Sequence, residues 1–155
     1  MFVSQVRENI GVAFGEKYTR SGGKSLDFYG SQALWLAKIK ELKRDINKIT
    51  RPIGVQIKAK CKKNKVSLPF RQCEFPILFG FGVDSFKANI DWLKSADMLH
   101  LAGFKDLAEA RDFLKESDNL DDEAYEEHTR YIDNVVIKAW ADIDESFLPK
   151  RRKYK

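Results

Sequence analysis

The stretch that decides the fold is "VQIKAKCKKNKVSLPFRQCEFPILFGFG" (55–82). Its first half alternates, with Val55, Ile57, Ala59 and Cys61 on one side and only Gln or Lys between them. A period of two predicts a half-exposed strand. Lys-Asn-Lys then provides a turn at Asn64, and "VSLPF" resumes the extended pattern. Together these segments predict a β-hairpin.

Two more segments, one at the end of this stretch and one upstream of it, are predicted as strands. "CEFPILFGFG" (73–82) is an apolar run closed by two glycines, which predicts a buried strand. Pro76 lacks an N–H group, so this strand is expected at an edge or a bulge. Upstream, "LDFYGSQALWLAKIKEL" (26–42) predicts a buried strand that runs into a more polar segment.

The N-terminal segment raises the question of a nucleotide site. "TRSGGKS" (19–25) ends like a phosphate-binding loop, but the motif G-x-x-x-x-G-K-[ST] needs a glycine where Tyr18 stands. The composition of "GEKYTRSGGKS" (15–25) instead predicts a flexible surface loop. The preceding "SQVRENIGVAF" (4–14) fits a strand edge or a short helix equally well.

After Val83 the apolar period changes to that of helices, predicted over 84–99, 105–117 and 121–144. Asp84 is placed to cap the first helix, and Asp106 with Glu109 has the spacing of a capping box on the second. The residues expected to face the core are Phe86, Ile90 and Leu93 in the first helix, and Tyr125, Ile132, Val136 and Ala139 in the third. Strands therefore come first and helices last.

Charge is distributed unevenly along the 155 residues, whose formal net charge is +5. Residues 1–75 hold 16 Lys/Arg against 6 Asp/Glu, and residues 76–149 hold 7 against 17, before five more cations in "KRRKYK" (150–155). A basic front half suggests a polyanionic partner, but charge alone slightly favours an ordinary solvated lysine-rich surface.

Membrane, secretory and metal-binding classes are disfavoured. No apolar run is long enough to span a bilayer, and the N-terminus lacks the pattern of a signal peptide. We therefore expect a cytoplasmic protein in which Cys61 and Cys73 are reduced thiols. Their spacing fits no zinc motif, and the two histidines lie far away in sequence, so no metal site is expected.

Four short motifs, in order over the first half of the chain, resemble the C-terminal half of the RecA recombinase core. They are Gln-x-Arg before Ile-Gly-Val, Gly-Gly before a Phe-Tyr strand, the Lys-Asn-Lys turn, and Pro-Phe-x-Gln-x-Glu-Phe. The resemblance implies an α/β fold, a mixed twisted sheet with a hairpin followed by a small helical region. Its divisions would be 1–83 for this half of the core, 84–149 for the helical region and 150–155 for a basic tail.

The resemblance also implies that the loop from about Glu8 to Lys24 is the family's second DNA-binding loop, which contacts single-stranded DNA. Glycine N–H groups can approach phosphates closely, and the loop cations supply counter-charge. For Ile10, which matches a residue that wedges between bases, an ordinary core isoleucine is as good an explanation. The implied DNA-binding residues are Arg7, Ile10, Gly11, Lys17, Thr19, Arg20, Ser21, Gly22, Gly23 and Lys24.

Other roles implied by the resemblance concern nucleotide and subunit contacts. Gln5 would couple nucleotide to the DNA loop, and Lys63 with Lys65 would reach the phosphates of a neighbouring subunit's ATP. Phe28 would be an interface aromatic. Asp27 stands where relatives commonly have an interface lysine, so this interface is expected to be built differently. Each role has an ordinary alternative: a polar strand end for Gln5, a solvated turn for the lysine pair, and core packing for Phe28.

No P-loop motif occurs in the chain, so ATP and Mg²⁺ are expected in the intact recombinase but not on this chain alone. The resemblance implies a fragment of a DNA-dependent ATPase, with a separate or upstream P-loop half, single-stranded DNA and a homo-oligomeric filament as partners. The acidic helical region and the ending "PKRRKYK" are unlike common bacterial endings of the family, so the resemblance suggests a phage-type member in a host cytoplasm. The alternatives are a stand-alone single-strand binding module and a filament-modifying subunit without catalysis.

Overall fold

The computed structural model describes residues 1–8, 18–20 and 25–151 of the chain. The strands in this part are β1 (Val6–Glu8), β2 (Tyr18–Arg20), β3 (Gln32–Ile46), β4 (Ile49–Asn64), β5 (Gln72–Leu78) and β6 (Gly82–Val83). The helices are α1 (Ser25–Tyr29), α2 (Ser85–Ser95), α3 (Leu107–Ser117) and α4 (Asp122–Phe147), with a 3-10 turn at Leu99–Ala102. The fold is α/β, as the sequence predicted.

The main sheet has the order β3-β4-β5-β6, and every described strand pair is antiparallel. The expectation of a mixed sheet is therefore wrong for the described residues. Long complementary strands joined by short connections favour antiparallel pairing, because a parallel neighbour needs a crossover of a dozen residues or more. A separate two-stranded ribbon forms from β1 and β2.

The longest hairpin of the sheet is β3–β4, and its turn was not predicted. Asn47 and Lys48 both have positive φ, 51° and 65°, and lie between the paired residues Ile46 and Ile49. Two left-handed residues in a two-residue loop are the pattern of a type I′ turn. The turn lets β3 continue to Ile46, past the segment 26–42 for which a strand was predicted. The expectation that this strand is buried is wrong, because most of its residues are exposed and none is buried.

Two segments predicted as strands have other structures. Leu26–Tyr29 lies in helix α1, so the expected Phe-Tyr strand is wrong and β3 begins only at Gln32. "VSLPF" is not a strand either. The strand that returns alongside β4 is β5, which begins at Gln72. Phe70 has a φ of 72° and Pro69 has no N–H to donate, which explains the interruption.

Pro76 lies in β5, as predicted, and at an edge. Strand β6 pairs with β5 only at Ile77 and Leu78, so the outer side of β5 at Pro76 has no ladder partner. The Pro76 carbonyl accepts from the Asp84 N–H at 3.1 Å, where the chain turns into α2.

The three predicted helices are confirmed, together with the N-caps predicted for the first two. Asp84 accepts from the Lys87 N–H at 2.9 Å, and Asp106 accepts from the Glu109 N–H at 3.0 Å. The Glu109 carboxylate in turn accepts from the Lys105 N–H at 2.7 Å, one residue before the N-cap, which is a variant of the predicted capping box. The predicted core residues Phe86, Ile90, Leu93, Ile132, Val136 and Ala139 are all buried, and Tyr125 is partly buried against them.

The hydrophobic core lies in the helical half, and no strand residue belongs to its buried cluster. Phe86 is in edge-to-face contact with Phe113 and Tyr125, at ring centroid distances of 5.8 and 5.7 Å. On β3, by contrast, Leu34 and Leu36 are about two-thirds exposed (66% and 65%). The sheet thus presents apolar side chains to solvent.

Arg71 and two tryptophans join the sheet to the helices. Trp92 of α2 stacks on Trp140 of α4 at 5.0 Å, and the Arg71 guanidinium lies 5.2 Å from the Trp140 ring centroid. Arg71 also forms an ion pair with Asp144. A cation over an indole contributes on the order of 1 kcal/mol, more when desolvated. This contact fixes the start of β5 against α4.

Gly54 provides a stability test of the sheet. A Cβ atom at Gly54 would lie 2.4 Å from the Ile77 carbonyl oxygen and 3.1 Å from the Leu78 Cα, both backbone atoms. We expect Gly54→Ala to lower the free energy of unfolding by about 1–3 kcal/mol through overpacking, measured by urea unfolding. Arg51→Ala, at an exposed position of the same strand, is the control. Equal urea midpoints for both variants would contradict this account of β4–β5 packing.

Candidate nucleotide and nucleic-acid site

Lys63 and Lys65, at the end of β4, converge on one end of helix α1. The Lys63 Nζ donates to the Asp27 carbonyl and, at 3.3 Å, to the Phe28 carbonyl. The Lys65 Nζ donates to the same Phe28 carbonyl at 3.1 Å. Cations at the C-terminal end of a helix bind carbonyl groups that have no partner within the helix. The two ammonium groups can therefore share one oxygen acceptor.

Asn64 holds the turn that presents these lysines. Its Oδ1 accepts from the Val66 N–H at 3.0 Å, the Ser67 N–H at 3.2 Å and the Gln32 Nε2 at 3.2 Å. Its side-chain amide also reaches the Leu68 carbonyl at 3.4 Å. An asparagine that accepts from N–H groups two and three residues ahead stabilises a turn locally. The sequence predicted Asn64 as a turn residue but not its bond to Gln32, which joins the turn to β3.

The other predicted interface residues lie beside this lysine pair. Phe28 is 75% exposed, so core packing does not explain it in this structure, and its interface role stays a prediction. Asp27 lies in the first turn of α1, and its carbonyl is the Lys63 acceptor. The structure thus brings Asp27, Phe28, Lys63 and Lys65 together at one surface.

The predicted DNA loop, from about Glu8 to Lys24, begins in β1 and contains β2. Val6 pairs with Arg20, Arg7 with Thr19 and Glu8 with Tyr18, which sets the two flanks of residues 9–17 side by side. The strand alternative is correct for Val6–Glu8, and Tyr18–Arg20 is strand rather than loop. Gln5 and Arg7 are exposed.

The remaining loop predictions fall largely outside the described residues. For Thr19 and Arg20 the structure describes only the backbone. The predicted residues outside the described part of the chain are Ile10, Gly11, Lys17, Ser21, Gly22, Gly23 and Lys24. Their roles in DNA binding stay predictions.

Basic side chains on the sheet are partly engaged by neighbouring groups. Lys58 pairs with Glu74 at 3.3 Å, and the Lys62 Nζ lies 4.6 Å from the Trp35 ring centroid. A hydrogen bond from Lys38 lowers the pKa of Glu41, and the charges of Lys38 and Lys43 lower it further. The carboxylate is thereby kept ionised among cations.

Metal and membrane features were also searched for in the described part of the chain. It contains no group of three His, Cys, Asp or Glu side chains placed to hold a metal ion. None of its helices is both long and apolar enough to cross a bilayer. Cys61 and Cys73 are free thiols; desolvation and the neighbouring Glu74 raise the pKa of Cys73, which disfavours the reactive thiolate.

Comparison with known proteins identifies the family. The family model described as "RecA N-terminal domain" matches residues 1–84. Protein RecA of Chlamydia pneumoniae is 34% identical over 142 residues, 88% of this chain, and Protein RecA of Campylobacter fetus is 33% identical over 156 residues, 94% of this chain. Over a shorter span of 91 residues, 59% of this chain, Protein RecA of Kineococcus radiotolerans is 44% identical. The chain belongs to the RecA family.

The chain spans only part of these relatives. The alignments cover 39% of the Chlamydia pneumoniae protein, 44% of the Campylobacter fetus protein and 25% of the Kineococcus radiotolerans protein. The placement of residues 1–83 in the C-terminal half of the core therefore stays a prediction.

The Asn64 turn can be tested directly. Asn64→Ala removes the acceptor of the Val66 and Ser67 N–H groups, and we expect a loss of about 1–2 kcal/mol in the free energy of unfolding. Amide exchange at Val66 and Ser67 should accelerate, because these N–H groups lose their partner. The control is Asn134→Ala, at an exposed position of α4. Unchanged exchange at Val66 and Ser67 would show that Asn64 does not hold the turn.

Proposed function

We propose that this chain is the C-terminal part of a RecA-type recombinase. In the intact protein it would take part in ATP-dependent binding of single-stranded DNA, filament formation and homologous strand exchange. The observation that carries the proposal is the convergence of Lys63 and Lys65 on a shared oxygen acceptor next to the exposed Phe28. Membership in the RecA family supports it.

The lysine pair fits a phosphate group. Both ammonium groups already approach the Phe28 carbonyl oxygen, within 3.3 Å, so the same geometry accommodates a phosphate oxygen. Lysine acts as a mobile point charge, which suits an acceptor delivered by another subunit. ATP and Mg²⁺, when bound by a P-loop half, would supply the phosphoryl group whose developing charge such cations stabilise. This chain's own part is to position Lys63 and Lys65 through Asn64.

The loop between Glu8 and Lys24 is proposed to contact single-stranded DNA. The β1–β2 ribbon fixes both flanks of residues 9–17, so their contacts would start from a defined base. Arg7 at this base is exposed and adds positive charge. Tyr18, which is 51% exposed, stands at the other flank, where an aromatic ring can stack on a base.

Salt dependence tests the DNA loop. Counterion release gives a slope of about −0.7 in log affinity against log salt for each phosphate neutralised on a single strand. We expect Arg20→Ala with Lys24→Ala to flatten this slope by about one to two units on the same counting, measured by anisotropy of a labelled single strand. The matched control is Lys94→Ala with Lys138→Ala, two exposed cations on α2 and α4. A slope equal to that of the control would place single-strand binding elsewhere.

The lysine pair distinguishes a recombinase from a simple binding module. We expect no ATP hydrolysis by this chain alone, and DNA-stimulated hydrolysis once a separately expressed P-loop half of a RecA relative is added. Lys63→Ala or Lys65→Ala should abolish that hydrolysis and leave nucleotide-free DNA binding nearly unchanged. Lys62→Ala is the neighbouring control, because the Lys62 cation lies over Trp35.

Mixing shows whether the lysines act in trans. A lysine variant combined with a protein whose P-loop is inactivated should recover part of the hydrolysis, because some interfaces then join two intact halves. A stand-alone binding module predicts the opposite pattern, with DNA affinity falling for each lysine lost and nucleotide having no effect. Hydrolysis by this chain alone would overturn the proposal.

A further inference from the structure

The two cysteines lie on one face of the main sheet, although eleven residues separate them in sequence. Ala59 and Cys61 are two positions apart on β4, so their side chains point to the same face. Cys73 of β5 is the cross-strand partner of Ala59. Cys61 and Cys73 are therefore diagonal neighbours on adjacent strands.

Both cysteines line one cavity of about 320 Å³ between the sheet and helix α4. Leu34 and Ala59 lie beside them in its lining, and α4 contributes Trp140. Cys73 is exposed, so a small ligand has a path into the cavity from solvent. The cavity thus combines a mainly apolar lining with two thiols.

The chemistry of the lining selects a class of ligand. The described residues around the cavity include no carboxylate and no imidazole, and their other polar groups are the side chains of Gln32, Asn64, Arg71 and Gln72. Hard cations such as Mg²⁺ and Ca²⁺ need several oxygen ligands, and Zn²⁺ needs a full tetrahedral set. Two thiolates alone select a soft ion such as Cu(I).

The spacing of the two cysteines suits a bound ion better than a disulfide. Diagonal neighbours on paired strands are roughly 7–8 Å apart, beyond the Cα separation of about 4.4–6.8 Å that a disulfide spans. An ion held between two thiolates separates the sulfur atoms by two metal–sulfur bonds, roughly 4.6 Å in all at about 2.3 Å each. The ion supplies the length that a disulfide lacks.

Hydrogen bonds fix the position of Cys61. Its N–H donates to the Arg71 carbonyl at 2.8 Å, and its carbonyl accepts from the Phe70 N–H at 3.0 Å. Its thiol donates to the Lys63 carbonyl at 3.3 Å. A thiol is a weak donor, so binding an ion would exchange one weak hydrogen bond for a metal–sulfur bond.

The surrounding charges fit an anionic complex. Two thiolates around a monovalent ion carry one net negative charge, and the Arg71 guanidinium, held by its ion pair with Asp144, lines the same cavity. Glu74 follows Cys73 on β5 and so points to the opposite face, where it pairs with Lys58 at 3.3 Å. Positive charge is therefore nearer to the two sulfur atoms than a carboxylate ligand.

We propose that Cys61 and Cys73 form a two-coordinate site for a soft, thiophilic cation of the Cu(I) class. Binding makes two copper–sulfur bonds and releases both thiol protons to solvent. Copper stays Cu(I), so no electron is transferred. The sequence predicted no metal site, because the register of β4 and β5 brings together two thiols that are distant along the chain.

The proposal is tested by titrating the full 155-residue chain, reduced and free of oxygen, with Cu(I) in competition with a chromophoric Cu(I) chelator. We expect one ion per chain. Cys61→Ser and Cys73→Ser should each lower the affinity at least about 100-fold, since loss of an outer-shell partner alone costs about 10–100-fold.

A matched control keeps two thiols but separates them. Cys73→Ser with Ser146→Cys moves the second thiol to an exposed position of α4, and this variant should bind Cu(I) as weakly as Cys73→Ser alone. Excess Zn²⁺ should leave the copper on the unaltered chain. Urea midpoints equal to that of the unaltered chain, measured without copper, should verify that the variants are folded.

A second measurement uses the unaltered chain and does not depend on how the variants fold. Bound Cu(I) should slow the alkylation of Cys61 and Cys73 by N-ethylmaleimide to the same extent, measured for each cysteine peptide by mass spectrometry. Addition of the chelator should restore the alkylation rates of both.

The proposal is overturned if the variant with separated thiols binds Cu(I) as tightly as the unaltered chain, or if Cu(I) protects only one of the two cysteines. One ion for two chains would also overturn it, because the thiolates would then come from different molecules. The site does not rest on the recombinase function, and none of these measurements involves the lysine pair or the single-strand loop. The two proposals therefore fail separately.

Discussion

Strand β4 is the constraint on which the rest of the structure depends, because it is paired along one edge with β3 and along the other with β5. Gly54 allows the close approach of β5, since any larger residue would contact the backbone of Ile77. The two ends of β4 extend beyond β5. At one end Asn64 presents Lys63 and Lys65, and at the other the β3–β4 hairpin projects beyond β5.

Stability and candidate function are located in different halves of the described chain. The buried aliphatic and aromatic core is built by the helices, and Arg71 connects it to the sheet through Trp140 and Asp144. The sheet, with Leu34 and Leu36 exposed, has an apolar surface that the described helices do not cover. A sheet in this condition favours association with a further layer of structure.

The sequence predicted the helices well and the strand connections poorly. Asp84 and Asp106 follow local capping rules, so their positions needed no tertiary information. The turn at Asn47–Lys48 was missed because a lysine occupies a left-handed position that usually takes glycine. Helix α1 was missed because five residues are too short for a periodic signal. Because α1 was missed, the partners of Lys63 and Lys65 could not be predicted either: they are backbone carbonyls of that helix.

The length of β4 decides how its two ends relate to each other. Arg51 and Lys63 are twelve residues apart on one continuous strand, and at a rise of about 3.3 Å per residue they are separated by roughly 40 Å. That distance is several Debye lengths at physiological salt, so charge changes at one end are screened at the other. A phosphate at the lysine pair is therefore screened from the cations at the other end of β4. Any coupling between the two ends would have to be mechanical and pass through the β4 ladder, which the backbone of Ile77 and Leu78 fixes at Gly54.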